Sequence, residues 1–239
     1  MTLGRRLTAE AVGTALLLAG VVGSGIMGER LAGGSAALAL LANTLATGAM
    51  LVALILTFGP ISGAHLNPAV TLADASQGGI AWGDVPGYLA AQVAGAFVGV
   101  ATAHAMFREP LFAASHHMRA GGAQLLSEAV ATFGLLSVVW GCSRFRSEAV
   151  PFAVGAYIAA AYWFTASTSF ANPAVTLARA ATDTFTGIRP ADAPGFIAAQ
   201  LLGAGVATIL FRWLAPVRPR VVPALGRADA AVRHAEIGP

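Results

Sequence analysis

Two short polar constellations interrupt a chain otherwise dominated by apolar residues. Ser62-Gly-Ala-His-Leu-Asn-Pro-Ala-Val-Thr-Leu-Ala73 is echoed by Ser167-Thr-Ser-Phe-Ala-Asn-Pro-Ala-Val-Thr-Leu-Ala178, which puts Asn67-Pro68-Ala69 and Asn172-Pro173-Ala174 in matching frames. An asparagine followed by proline reads as a helix cap and a first helical residue, where proline's missing N–H costs nothing. Each asparagine then caps a short helix and keeps side-chain N–H donors for a solute. This is hydrogen-bonding chemistry rather than bond-making. No Ser/His/Asp set, metal-ligand spacing or phosphate loop accompanies it, and His116 and His117 lack nearby Cys or carboxylate partners. The lone Cys142 excludes an intrachain disulfide. Glu10, Glu128 and His65 are the remaining side chains of interest.

The elements that must position these residues are membrane spans. The chain is 56% hydrophobic and only 10% charged, against about a quarter charged in soluble domains. Its apolar stretches, near 7–27, 36–58, 85–106, 122–141, 149–168 and 194–214, approach the roughly 20 residues that cross a bilayer as helix. The stretches beginning at Asn67 and Asn172 are too short to cross and read as half-helices. Glu10 pairs with Glu128 and Ala-Ala-Gln92 with Ala-Ala-Gln200 in the same repeat. Three spans per copy, an odd number, require the second copy to be inverted, with a shared site near the midplane. The reading is therefore an all-α membrane protein. Residues 1–118 form the first repeat, 119–215 the second, and 216–239 a mobile tail.

In this arrangement the two half-helix N-termini meet at the midplane, each with roughly half a positive charge. Cations are repelled, while a neutral solute accepts from Asn67 and Asn172. It donates to backbone carbonyls of Gly63, Ala64, His65 and Leu66, and of Thr168, Ser169, Phe170 and Ala171. Non-helical backbone at this depth is tolerated where it lines a wet cavity. All fourteen basic residues are Arg, and they punctuate spans instead of forming a nucleic-acid stripe. Arg5, Arg6, Arg144, Arg146 and the arginines of the tail share one side, which the positive-inside rule assigns to the cytoplasm. The expectation is a multi-pass protein of the inner (plasma) membrane with both termini cytoplasmic.

The doubled Asn-Pro-Ala, its Ser-Gly-x-His lead-in and the six-span repeat resemble the aquaporin, or major intrinsic protein, family over residues 5–215. The resemblance implies an hourglass fold and a homotetramer with one pore per subunit. It also implies a bilayer-embedded channel for water and small neutral solutes, with no cofactor and no catalysis. Glu10 and Glu128 would brace the two re-entrant loops, with proton relay as the competing role. His65 reads as a structural residue, with a pH sensor as the alternative.

Family spacing puts the outer selectivity filter at Thr47, Ala160, Ser169 and Val175. Where most members have an arginine this chain has Val175, and no position of the set is aromatic or charged. The expectation is a wide, moderately polar ring, resembling bacterial metalloid-associated aquaglyceroporin-like channels without the filter arginine. Glycerol, urea or neutral arsenous acid then become candidate cargo beside water. Arg179 is read as snorkelling or pairing with Asp183, the alternative being a turn toward the mouth. A strict water channel, an ion-coupled transporter and a closed structural protein are the competing readings.

Overall fold

The computed structural model describes residues 1–216, so the expected tail lies almost wholly outside the described residues. Eight α-helices follow one another: α1 (Leu3–Leu31), α2 (Ala36–Ser62), α3 (Pro68–Ser76), α4 (Val85–Phe107), α5 (Gly122–Phe145), α6 (Val150–Phe164), α7 (Pro173–Arg179) and α8 (Ala193–Leu214). No strand occurs among the described residues. α1, α2, α4, α5 and α8 are long and apolar enough to cross a membrane.

The fifth expected span is shorter than anticipated. α6 has 15 residues, about 22 Å at helical rise, and a 3-10 turn at Ser147–Ala149 leads into it. It stops at Phe164 instead of 168 because Thr165 is extended and its hydroxyl bonds back to the Ala161 carbonyl. From there the chain turns inward toward Asn172. The protein is a multi-pass membrane protein with five helices long enough to cross, the shorter α6, and two re-entrant half-helices, α3 and α7.

The packing follows the repeat. α1 packs on α2 and α4 as α5 packs on α6 and α8, α2 meets α6, and α3 meets α7. Each half-helix also reaches into the other half, α3 against α8 and α7 against α4. Lipid is as apolar as leucine, so close approach of small residues must hold such helices together. A Cβ at Gly95 would sit 2.2 Å from the Ala11 carbonyl oxygen, and one at Gly203 2.2 Å from that of Ala129. These are the same crossing in the two copies. Large apolar side chains such as Leu45, Leu126 and Ile209 remain on the outer surface, where lipid replaces water as solvent.

Candidate functional site: a lumen between two re-entrant loops

Each half-helix begins with the same cap. Asn67 Oδ1 accepts from the Ala69 N–H at 2.9 Å, and Asn172 Oδ1 accepts from Ala174 at 3.0 Å and Val175 at 3.3 Å. Pro68 and Pro173 occupy the first helical position. The side-chain amides then cross the pseudo-twofold axis. Asn67 Nδ2 donates to the Ala171 carbonyl and Asn172 Nδ2 to the Leu66 carbonyl, both at 2.8 Å. An amide nitrogen carries two N–H groups, so one ties the loops together and one remains for the lumen.

This detail modifies the expected set of solute acceptors. The Leu66 and Ala171 carbonyls are already used as loop ties. Those of Gly63, Ala64 and His65, and of Thr168, Ser169 and Phe170, accept nothing from the protein among the described residues. The backbone there is contorted: Ala64, Leu66, Thr168, Ser169 and Ala171 all have positive φ, between 46° and 62°. Each such residue costs about 1–2 kcal/mol, and the surroundings must hold it.

Glu10 and Glu128 supply that hold from within α1 and α5, both fully buried. Glu10 accepts from Ser62 Oγ at 2.6 Å, His65 N at 3.0 Å, Leu66 N at 2.7 Å and Gln92 Nε2 at 2.8 Å. Glu128 accepts from Phe170 N and Ala171 N at 2.9 Å and from Gln200 Nε2 at 2.6 Å. The two glutamines, on α4 and α8, also donate to Thr71 and Thr176 of the half-helices at 2.9 Å. Helix, loop and half-helix are thereby locked together twice over. The sequence offered Gln92 and Gln200 as repeat landmarks, and their place in the brace was the part missed.

A continuous cavity of about 420 Å³ runs past these loops. Toward the face that carries both ends of the helical bundle it is bordered by Arg6, Asp74, Gly79 and Ser143, and His65 projects into it. His65 Nδ1 lies 3.1 Å from Thr71 Oγ1, and Nε2 lies 3.6 Å from Asp74 Oδ2. Through the middle, Leu51, Ile55, Leu135, Val154 and Ile158 form an apolar wall opposite Asn67 and Asn172. Toward the distal face the lining becomes Thr47, Tyr162, Ser169, Val175 and Arg179. One side of the lumen is therefore a rail of carbonyls and amides, and the other is hydrocarbon.

Three of the four expected filter positions border this distal end. Thr47, Ser169 and Val175 are buried in the lining, Thr47 Oγ1 accepts from Tyr162 at 3.3 Å, and the Ser169 hydroxyl has no protein partner. Ala160 does not join them. It is exposed on the outside of α6, while Val150, Val154, Ile158 and Tyr162 form the lumen stripe at four-residue spacing. Two residues from Ile158 is about 200° around a helix of 3.6 residues per turn, which turns Ala160 to the opposite side. The expectation of a ring without aromatics is corrected by Tyr162.

The expectation for Arg179 is likewise corrected. Asp183 is held by His116, whose Nδ1 lies 2.9 Å from Oδ2 and whose backbone N–H donates to Oδ1 at 2.8 Å. That carboxylate partner for His116 was invisible from sequence distance. Arg179 turns inward: it is 2% exposed, donates Nε to the Thr186 carbonyl and lays its guanidinium 3.4 Å from the centre of the Phe170 ring. Arg119, from the loop between α4 and α5, approaches the same ring at 5.1 Å. Its Nε donates to the Gly187 carbonyl at 2.8 Å and its Nη1 to that of Ser167 at 3.2 Å. Among the described residues no group of three His, Cys, Asp or Glu side chains is arranged to hold a metal ion.

The family model described as "MIP: Major intrinsic protein" matches residues 1–149. The chain belongs to the major intrinsic protein family. Within it, the chain is 58% identical to aquaglyceroporin AqpS of Rhizobium meliloti, over 91% of this chain and 93% of that protein. It is 43% identical to aquaglyceroporin-3 of Trypanosoma brucei brucei, over 43% of this chain and 32% of that one. In three dimensions it superposes on the aquaglyceroporin from Plasmodium falciparum with a TM-score of 0.72 at 23% identity, covering 90% of this chain and 98% of the other. That likeness establishes the major intrinsic protein fold for this chain.

Proposed function

We propose that this protein is a passive transmembrane channel for water and small uncharged solutes, and not an enzyme. The observation that carries this reading is the continuous lumen bordered by both Asn-Pro-Ala caps, with a carbonyl rail on one side and an apolar wall on the other. A solute in it exchanges water's hydrogen bonds for those of Asn67, Asn172 and the carbonyls of residues 63–65, Ser169 and Phe170, while Thr168, also expected there, borders the second cavity instead. An ion forfeits hydration without equivalent replacement and meets two half-helix N-termini. Relatives named as aquaglyceroporins and as a probable glycerol uptake facilitator support the same class of solute.

Selectivity is assigned to Thr47, Ser169, Val175 and Tyr162 together with Arg179. Val175 leaves the usual arginine position empty of charge, and Arg179, one turn further along α7, supplies a guanidinium from beyond the ring. The resulting mouth favours glycerol- and urea-like solutes and neutral metalloid hydroxides such as arsenous acid, which present several O–H groups and no charge. Each 1–118 and 119–215 repeat contributes one loop and one bracing glutamate to a single pore. By family analogy the protein is a homotetramer in the inner (plasma) membrane with both termini cytoplasmic.

The test is stopped-flow light scattering on proteoliposomes challenged with water, glycerol, urea and arsenite gradients. Rates above protein-free vesicles for neutral solutes, independent of any ion gradient, support the reading. Uphill accumulation driven by an ion gradient would replace it with a coupled transporter.

A further inference from the structure

Arg119 and Arg179 form a cationic pair that the channel reading does not use in full. Both guanidiniums lie against Phe170, and both border a second cavity of about 380 Å³ with Asn43, Trp163, Thr168 and Phe185. A guanidinium carries five N–H donors in a planar fork. Arg179 uses only Nε on a protein acceptor among the described residues, which leaves its two terminal nitrogens unmatched. Arg119 uses Nε and Nη1 and leaves Nη2 unmatched.

Among the described residues no carboxylate touches this pair of guanidiniums, and Glu128 is the one carboxylate that offsets the two charges through space. Neither arginine forms an ion pair among the described residues. Asp183 is engaged by His116 and Asp192 by Arg189 and the Arg119 backbone N–H, while Glu128 accepts only from the neutral donors of Phe170, Ala171 and Gln200, so one carboxylate stands against two guanidiniums. A buried and a half-buried guanidinium against one ring, with unmatched donors and a cavity that both border, are relieved most directly by an anion. The planar fork suits a species with two oxygens on one centre.

We propose that this distal vestibule binds a small weak-acid anion, a carboxylate or an oxyacid monoanion, between Arg119 and Arg179, and that the bound anion obstructs solute entry. Asn43 and Thr168 border the same cavity and add neutral hydrogen-bonding groups. The chemistry separates this occupant from the neutral cargo of the lumen. The anion is held at the mouth, because the half-helix N-termini and the uncharged wall beyond give it no compensated path. The obstruction rests on the channel reading, whereas the binding does not.

The experiment has two arms. Isothermal titration calorimetry on the purified full-length protein, in chloride buffer of fixed ionic strength, uses sodium acetate and sodium phosphate as separate probes. Saturable binding of at least one probe in the millimolar range is expected, weakened about tenfold or more in Arg119→Gln and in Arg179→Gln. Arg119→Lys and Arg179→Lys keep the charge and should retain part of the affinity, which covers the case of a glutamine variant that does not fold. In proteoliposomes, the same probe should slow glycerol flux at least twofold in the parent protein at concentrations that saturate binding. Titrations that never saturate, or binding unaffected by all four variants, overturn the proposal, as does saturating binding that leaves glycerol flux unchanged. If parent vesicles carry no neutral solute at all, the channel reading fails, and the calorimetric arm alone decides the anion site.

Discussion

Replacing Glu128 by glutamine removes one acceptor from a site that demands two. The carboxylate takes Phe170 N on one oxygen, and Ala171 N and Gln200 Nε2 on the other. With the amide oxygen toward Ala171, the new NH₂ opposes the Phe170 N–H. With the oxygen toward Phe170 it opposes Ala171, and rotating the Gln200 amide cannot relieve a backbone donor. Either way one buried N–H is stranded and the surviving bonds lose their carboxylate partner, a loss of about 2–5 kcal/mol. That is comparable with the cost of holding Thr168, Ser169 and Ala171 at positive φ, about 1–2 kcal/mol each, so the loop should leave its lumen-facing conformation. In Glu128→Gln the melting temperature in detergent should fall by roughly 5–15 °C. Glycerol flux per inserted channel, read by light scattering, should fall several-fold. A variant that melts and conducts like the parent would refute the bracing argument.

Val175→Arg places a second guanidinium four residues before Arg179 on one face of α7, narrowing the ring beside Thr47 and Ser169. Glycerol, urea and arsenite rates in proteoliposomes should drop far more than the water rate, and unchanged solute rates would move the constriction to the asparagine midplane. Gly203→Ala drives a Cβ to 2.2 Å from the Ala129 carbonyl oxygen, whereas Gly205→Ala meets nothing within 4 Å. The first should cost about 1–3 kcal/mol and the second almost nothing, as compared by thermal unfolding of the two variants. Protons should remain largely excluded, because both half-helix N-termini face the midplane. A pH-sensitive dye trapped in vesicles checks this, and flux comparable to a known proton channel would contradict it.

Much of the fold was legible because two independent signals agreed. Span length gave the crossing helices, and the repeated Asn-Pro-Ala frame separated the half-helices from them. Glu10 and Glu128 were legible since a carboxylate inside a span must face the interior with partners. The parts that escaped the sequence depend on side-chain direction near helix ends. Ala160 was placed by counting, yet two positions on a helix reverse the direction a residue faces, and the lumen stripe is Val150, Val154, Ile158 and Tyr162. Arg179 had a carboxylate only four residues away, but His116 arrives from a distant loop to take Asp183, and the Thr186 carbonyl with the Phe170 ring turns the arginine inward. Arg119 shows the same effect. A loop arginine with no site role assigned from the sequence enters the vestibule because the carbonyls of Ser167 and Gly187 face it.

The claim on which the rest depends is that both Asn-Pro-Ala loops form one conducting pore, tied by Asn67 to the Ala171 carbonyl and by Asn172 to that of Leu66. It is tested most directly by glycerol-driven light scattering on vesicles carrying equal amounts of parent protein, Asn67→Leu or Asn172→Leu. The parent should exceed protein-free vesicles, and either leucine, which removes a cap and a tie and fills the midplane, should return the rate to near that background. Correctly inserted variants that both conduct glycerol at the parent rate would contradict a shared pore.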